Sequence, residues 1–172
     1  LEDYRIPNVP NYAYYIPNFI TEAEEAYLIE HLQSPNDSAK WVQMTLRRLK
    51  VYGGYPAKDM GIIVRPLPSW ADVAITAMME AGVAQNQNKP NHILLNEYTN
   101  GMGIAPHFDG PLYLPHAIVL SMVSDAEFHF YRDEVSIHSL TIEPRSLLIF
   151  GQDCYTDLKH GIPNAPVDSK LR

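Results

Sequence analysis

The feature that most narrows the fold is a series of short apolar runs that follow one another closely between positions 92 and 150: HILLNEY, AIVLSMV, EFHFYRD, HSLTIE and RSLLIF. Each holds six or seven residues, is rich in β-branched or aromatic side chains, and is bounded by turns containing Pro, Gly or Asp, which is the pattern of strands. No helix-length amphipathic segment separates them, so the crossovers that a parallel sheet requires are missing. The expected fold is mainly β within the α+β class: an antiparallel sandwich of the jelly-roll kind (a double-stranded β-helix), with N-terminal helices packed on its outer face. EFHFYRD alternates Phe128 and Phe130 against His129 and Tyr131, so one face of that strand is apolar and the other polar.

The first half of the chain reads differently. YAYYIPNFI is a strand that stops at Pro17, and Thr21 with Glu24 forms a capping-box pattern that opens a helix with an apolar stripe of Ala23, Tyr27, Leu28 and Leu32. A turn-rich connector from Pro35 to Lys40 leads into WVQMTLRRLKVYGGYP, one or two strands ending at Gly53 and Gly54. Ser69 and Asp72 suggest a second capping box before a helix carrying Trp70, Val73, Ala77, Met78 and Ala81. With 172 residues, 46% of them hydrophobic, the chain is expected to form a single domain. Within it, about 1–90 would be an N-terminal extension with the helices and about 91–172 the jelly-roll core.

The one cysteine, Cys154, excludes an intrachain disulfide and fits a reducing compartment. No apolar run reaches the length of a membrane span, and LEDYRIPNVP has neither a basic nor an apolar leader segment. The expectation is therefore a soluble, monomeric protein of the cytoplasm and nucleus. A net charge of -7 argues against broad adhesion to a polyanion, so any nucleic-acid contact must be local. Arg47, Arg48 and Lys50 lie within four residues and form the best candidate patch for a phosphate.

Chemistry concentrates in NHILLNEYTNGMGIAPHFDGPLYLP, residues 91–115. In extended chain His107 and Asp109 point to the same side, which is half of a metal site. His160, in LLIFGQDCYTDLKHGI, is the candidate third ligand. Two histidines and one carboxylate on a β core make the facial triad of non-haem iron oxygenases, which leaves positions open for co-substrate and dioxygen. Asn96 and Tyr98 precede the pair and, taken by themselves, read as a turn former and a core aromatic.

The string NEYTNGMGIAPHFDG, followed by LKHGI 53 residues after His107, resembles the AlkB-like Fe(II)/2-oxoglutarate dioxygenases. It is most similar to the branch containing the sixth mammalian AlkB homologue, and the likeness runs from about Tyr14 to the end of the chain. The family's Asn-x-Tyr with HxD eleven residues after the Asn is matched by Asn96, Tyr98, His107 and Asp109. The resemblance implies that His107, Asp109 and His160 ligate Fe(II), and that Asn96 and Tyr98 hydrogen-bond 2-oxoglutarate. It also implies a late RxNxTxR-type segment whose arginines grip the co-substrate carboxylates. Arg172 stands either as the first arginine of that segment or in a loop before it, and the Asn, Thr and second Arg do not follow, so the core is expected to be C-terminally truncated. The implied activity is oxidative demethylation of alkylated DNA or RNA with dioxygen as oxidant. Arg47, Arg48, Lys50, the Gly53–Gly54 turn and Tyr113 are then the candidate substrate contacts. An iron oxygenase acting on proteins or small molecules, and a metal-binding jelly roll without catalysis, are the alternatives.

Overall fold

In the computed structural model, which describes residues 1–10, 12–57, 59–99 and 101–164, the apolar runs are strands. In chain order the elements are β1 (Ala13–Ile16), α1 (Glu22–Gln33), β2 (Val42–Gln43), β3 (Arg48–Gly53), β4 (Tyr55–Ala57), β5 (Gly61–Ile63) and α2 (Asp72–Glu80). They continue with β6 (His92–Glu97), β7 (Ile104–His107), β8 (His116–Leu120), β9 (Ala126–Arg132), β10 (Val135–Ile142), β11 (Leu147–Gly151), α3 (Asp153–Thr156) and β12 (Lys159–Ile162). β1 ends at Ile16, just before Pro17, whose missing N–H would break the ladder. Among the described residues no helix is long and apolar enough to cross a membrane.

The chain divides into two compact units: Leu1–Phe19 with the described residues from Tyr98 on, and Ile20–Glu97. This division differs from a simple cut near residue 90 for a physical reason at each end. β1 pairs along its whole length with β11, so the N-terminal strand belongs to the core unit. β6 pairs with β3 over six residues, so it belongs with the first half of the chain.

The core unit consists of two antiparallel sheets, ordered β1-β11-β8 and β10-β9-β12-β7, as expected for a jelly roll. Phe128, Phe130, Leu148, Phe150, Leu158 and Ile162 come from both sheets and their connections and form one buried cluster. β11 is buried at every position, Leu147 to Gly151, because it is the central strand of its sheet. Each such Leu, Ile or Phe contributes about 1.5–3 kcal/mol by leaving water. β9 alternates as its sequence predicts, with Phe128 and Phe130 at 4% and 0% exposure and His129 and Tyr131 on the less buried face. Cys154 belongs to the same cluster; its Sγ donates to the Pro10 carbonyl at 3.1 Å, and burial, with Asp153 adding, pushes the thiol up to about 11.

The other unit holds α1, α2, the sheet β2-β3-β6 and the hairpin β4-β5. α1 begins with the expected capping box: the Glu24 amide donates to Thr21 Oγ1 at 3.2 Å and the Thr21 amide donates to Glu24 Oε2 at 2.7 Å. Its buried face is Glu25, Leu28 and Leu32, while Ala23 and Tyr27 are exposed. The predicted stripe was too wide, since Tyr27 lies one position, about 100°, around the helix from Leu28.

The second capping box does not form. Ser69–Ala71 is a 3-10 turn in which the Ala71 amide bonds the Pro68 carbonyl at 3.0 Å. Asp72 is already the first residue of α2, whose N-cap Ala71 has only a methyl group and no acceptor to offer. The buried face there is Ala71, Ala74, Ile75 and Met78, with Val73 and Ala77 half-buried.

Candidate metal centre

β7 and β12 are antiparallel neighbours, and their register places His160 directly opposite His107. Asp109 follows two residues after His107, just past the strand end. One ligand atom from each of His107, Asp109 and His160 lies within 4.8 Å of the others. His107 Nε2 and His160 Nε2 stand 3.9 Å and 3.8 Å from the same oxygen, Oδ1 of Asp109.

The sequence allows this convergence through two glycines that let backbones approach. A Cβ on Gly161 would sit 2.7 Å from the Ile104 carbonyl oxygen, and one on Gly103 would sit 2.0 Å from that of Ile162. Only glycine fits where β7 and β12 come this close. A register irregularity between His160 and Ile162 accommodates the same crowding.

Each donor is prepared for a cation in a different way. His107 Nδ1 lies 3.0 Å from the Ala105 carbonyl, which can only accept, so Nδ1 carries a proton and Nε2 is the atom turned toward Asp109. His160 is stacked against Phe128 at 5.7 Å between ring centroids and packs on Phe150 at 4.9 Å. Burial, reinforced by His107, holds its imidazole down to about 3, so it stays neutral. Its Nδ1 is buried without a hydrogen-bond partner among the described residues. The Asp109 carboxyl is pushed above its ordinary range by burial, partly opposed by His107. Two imidazoles and a carboxylate that lacks a lysine or arginine beside it among the described ion pairs suit a divalent cation such as Fe(II).

The remaining predicted residues fall in varied surroundings. Tyr98 is half-buried and packs on the core cluster. Tyr113 follows the turn in which its amide bonds the Gly110 carbonyl at 3.3 Å; burial and then the charge of Asp109 raise its phenol, so it is near the triad. Tyr155 on α3 was not anticipated. Its hydroxyl is buried without a hydrogen-bond partner among the described residues, and burial followed by Asp109 and Tyr113 pushes it up to about 12. The sequence held one signal for it, an aromatic five residues before His160 in the loop that delivers that ligand.

In the other unit, Arg47, Arg48 and Lys50 do not form an exposed cationic patch. Lys50 is 3% exposed and donates to Asp37 Oδ2 at 2.5 Å and to the Leu32 carbonyl at 2.7 Å. Arg48 makes a two-point pair with Glu97 and lies over Trp41. Arg47 Nε donates to Asn96 Oδ1 at 2.8 Å. Strand alternation explains the burial of Lys50, which shares a face with Tyr52, against Asp37 and Trp41. A Cβ on Gly53 would meet the Asn91 carbonyl oxygen at 2.3 Å and one on Gly54 would meet Ile62 at 3.2 Å, so these glycines serve the packing of β3. Arg172 lies outside the described residues.

No family model matches the chain. It is 36% identical over 176 residues, covering 94% of this chain and 74% of the relative, to the Danio rerio protein named "Probable RNA/DNA demethylase ALKBH6". It is 30% identical over 160 residues to uncharacterized protein L905 of Acanthamoeba polyphaga mimivirus, covering 89% of this chain and 73% of that one. The solved structure of OsALKBH1 superposes with a TM-score of 0.63 at 17% identity, over 98% of this chain and 88% of that chain, a likeness of fold. With identity carried across nearly the whole chain and the jelly-roll fold shared, the chain belongs to the AlkB-like family, close to ALKBH6.

Proposed function

We propose that this protein is an Fe(II)- and 2-oxoglutarate-dependent dioxygenase that demethylates alkylated nucleic acid by oxidation. The observation that carries the reading is the convergence of His107, Asp109 and His160 within 4.8 Å in a chain of the AlkB-like family. The name of the Danio rerio relative, an RNA/DNA demethylase, supports the substrate class.

In this reading His107 Nε2, His160 Nε2 and an Asp109 oxygen hold the metal on one side. When bound, the iron and 2-oxoglutarate supply the oxidation of a substrate N-methyl group by dioxygen, after which the methyl carbon leaves as formaldehyde. Phe128 and Phe150 keep water from His160 and fix its ring, so the ligand geometry is set before metal arrives. Asn96 and Tyr98 hydrogen-bond the co-substrate. Tyr113 offers an aromatic face near the metal for an extruded base. Arg172 is carried forward as a candidate co-substrate arginine.

A second reading has one observation in its favour. The three cations of β3 and its preceding turn are each engaged within the protein, by Asp37, Glu97 and Asn96, and an oxygenase of proteins or small molecules would need no phosphate grip. One assay separates the two. The protein is supplied with Fe(II), 2-oxoglutarate and air, then N-methylated oligonucleotides, their unmethylated counterparts or a panel of methylated peptides, and succinate and formaldehyde are measured. Formaldehyde in proportion to succinate with methylated oligonucleotides alone is the expected result. Formaldehyde from peptides alone transfers the activity to the second reading, and no succinate with any substrate leaves a metal-binding jelly roll.

A further inference from the structure

The three-stranded sheet β2-β3-β6 places Leu49 opposite Asn96. Arg47, two residues before Leu49, therefore approaches Asn96 along the diagonal of the same sheet face. The turn that carries it is closed by a hydrogen bond from the Met44 amide to the Arg47 carbonyl at 2.8 Å and braced by Gln43 Nε2 at 3.4 Å from the same oxygen. Arg47 is half-buried, and its Nε donates to Asn96 Oδ1 at 2.8 Å.

A guanidinium only donates, so it can face only the oxygen end of an amide. With Oδ1 committed to Arg47, the NH₂ group of Asn96 must point the other way and has two protons to give. An unrestrained asparagine can present either end after a half-turn about its last bond, and a carboxylate is served by only one of them. The fixed charge of Arg47 also polarises the amide and strengthens its N–H as a donor.

We infer that Arg47 is a positioning residue for the co-substrate: it locks the Asn96 amide with its NH₂ outward, making that residue a dedicated donor to a carboxylate of 2-oxoglutarate. This rests on the reading of Asn96 as a 2-oxoglutarate ligand. It assigns Arg47 to co-substrate affinity instead of to nucleic-acid phosphate.

The test is calorimetric titration, without oxygen, of the Mn(II)-loaded 172-residue protein with 2-oxoglutarate, alongside Arg47→Ala, Arg47→Lys, Asn96→Ala and the Arg47→Ala/Asn96→Ala double variant. Mn(II) affinity and melting temperature are measured for each. Arg47→Ala is expected to weaken 2-oxoglutarate binding about tenfold, the effect of one hydrogen bond to a charged group. Mn(II) affinity should stay unchanged, and Arg47→Lys should recover part of the loss. In the Asn96→Ala background the same change should cost less than about twofold, because the group it orients is gone. The inference is overturned if Arg47→Ala leaves 2-oxoglutarate affinity intact, if its cost is undiminished without Asn96, or if it lowers metal and co-substrate affinity together. Failure of the unaltered protein to bind 2-oxoglutarate overturns the underlying reading instead, and this inference with it.

Discussion

His107 and His160 are Cα partners across the antiparallel pair β7–β12, with ring centroids 4.5 Å apart. Strand register alone thus brings together two imidazoles that are 53 residues apart in sequence, and Asp109 joins them from two residues past His107, just beyond the strand end. If this is a metal centre, Asp109→Ala leaves two imidazole donors and should weaken Mn(II) binding by more than about 100-fold, since even outer partners of metal ligands are worth about 10–100-fold. The fold should survive, because Asp109 is a third exposed and makes no strand pairing. Metal content by elemental analysis, with His129→Ala as a control expected to bind like the parent, checks the claim; a full complement of metal in Asp109→Ala would sink it.

The close approach at Gly161 makes the triad sensitive to a single methyl group. The Cβ of Gly161→Ala would sit 2.7 Å from Ile104 O and 3.2 Å from Pro106 N, and both are backbone atoms that cannot swing aside. β7 and β12 must separate, at a cost of about 1–3 kcal/mol, and His107 and His160 separate with them. Melting temperature and Mn(II) affinity should fall together. A loss of stability with unchanged metal affinity would show that the ligands are positioned by their side-chain packing instead of by the strand spacing.

The strands of the core unit were legible because their apolar runs are short, closely spaced and punctuated by turns, and β9 and β11 alternate or bury as those runs require. The triad was legible because two of its members are near neighbours in sequence and the third follows an unmistakable buried strand. The surroundings of Arg47, Arg48 and Lys50 were not legible, for the opposite reason. A charge run says nothing of which face each residue takes, and the partners that absorb it, Asp37 and Glu97, lie 13 and 49 residues away. Ser69 and Asp72 matched a capping box, but a box needs Ser69 outside the helix, and the 3-10 turn draws it in.

That difference between the two helix starts is measurable. Thr21 supplies a real cap, so Thr21→Ala should cost about 1 kcal/mol. Ser69→Ala should change stability by less than about 0.5 kcal/mol, as an exposed side chain with no cap bond. Urea unfolding of both variants against the parent gives the comparison, and equal costs would contradict the capping assignment.

The Lys50–Asp37 pair is the feature most exposed to acid. Both side chains are 4% exposed, and Tyr52 donates to the same carboxylate oxygen at 2.5 Å. Burial would by itself raise the Asp37 carboxyl, but the hydrogen bonds from Lys50, Tyr52 and the Ala39 amide and the charge of Lys50 outweigh it, and the group lies below its ordinary value of 3.8. A carboxyl lowered on folding binds fewer protons in the native state than in the unfolded one, so its stabilisation is complete above the unfolded value and is lost as pH falls through the folded one. Stability should therefore hold from neutral pH down to about 5 as far as this group is concerned, and decline below about 4. Asp37→Asn should remove that acid dependence and, by leaving the Lys50 charge buried and unpaired, cost about 3–5 kcal/mol at pH 7. Asp37→Leu combined with Lys50→Met, which removes both charges, should be less damaging than Asp37→Asn alone. Urea midpoints of the three proteins between pH 3 and 7 check all of this. A parent and an Asp37→Asn variant that lose stability in parallel on acidification would place the acid-sensitive group elsewhere.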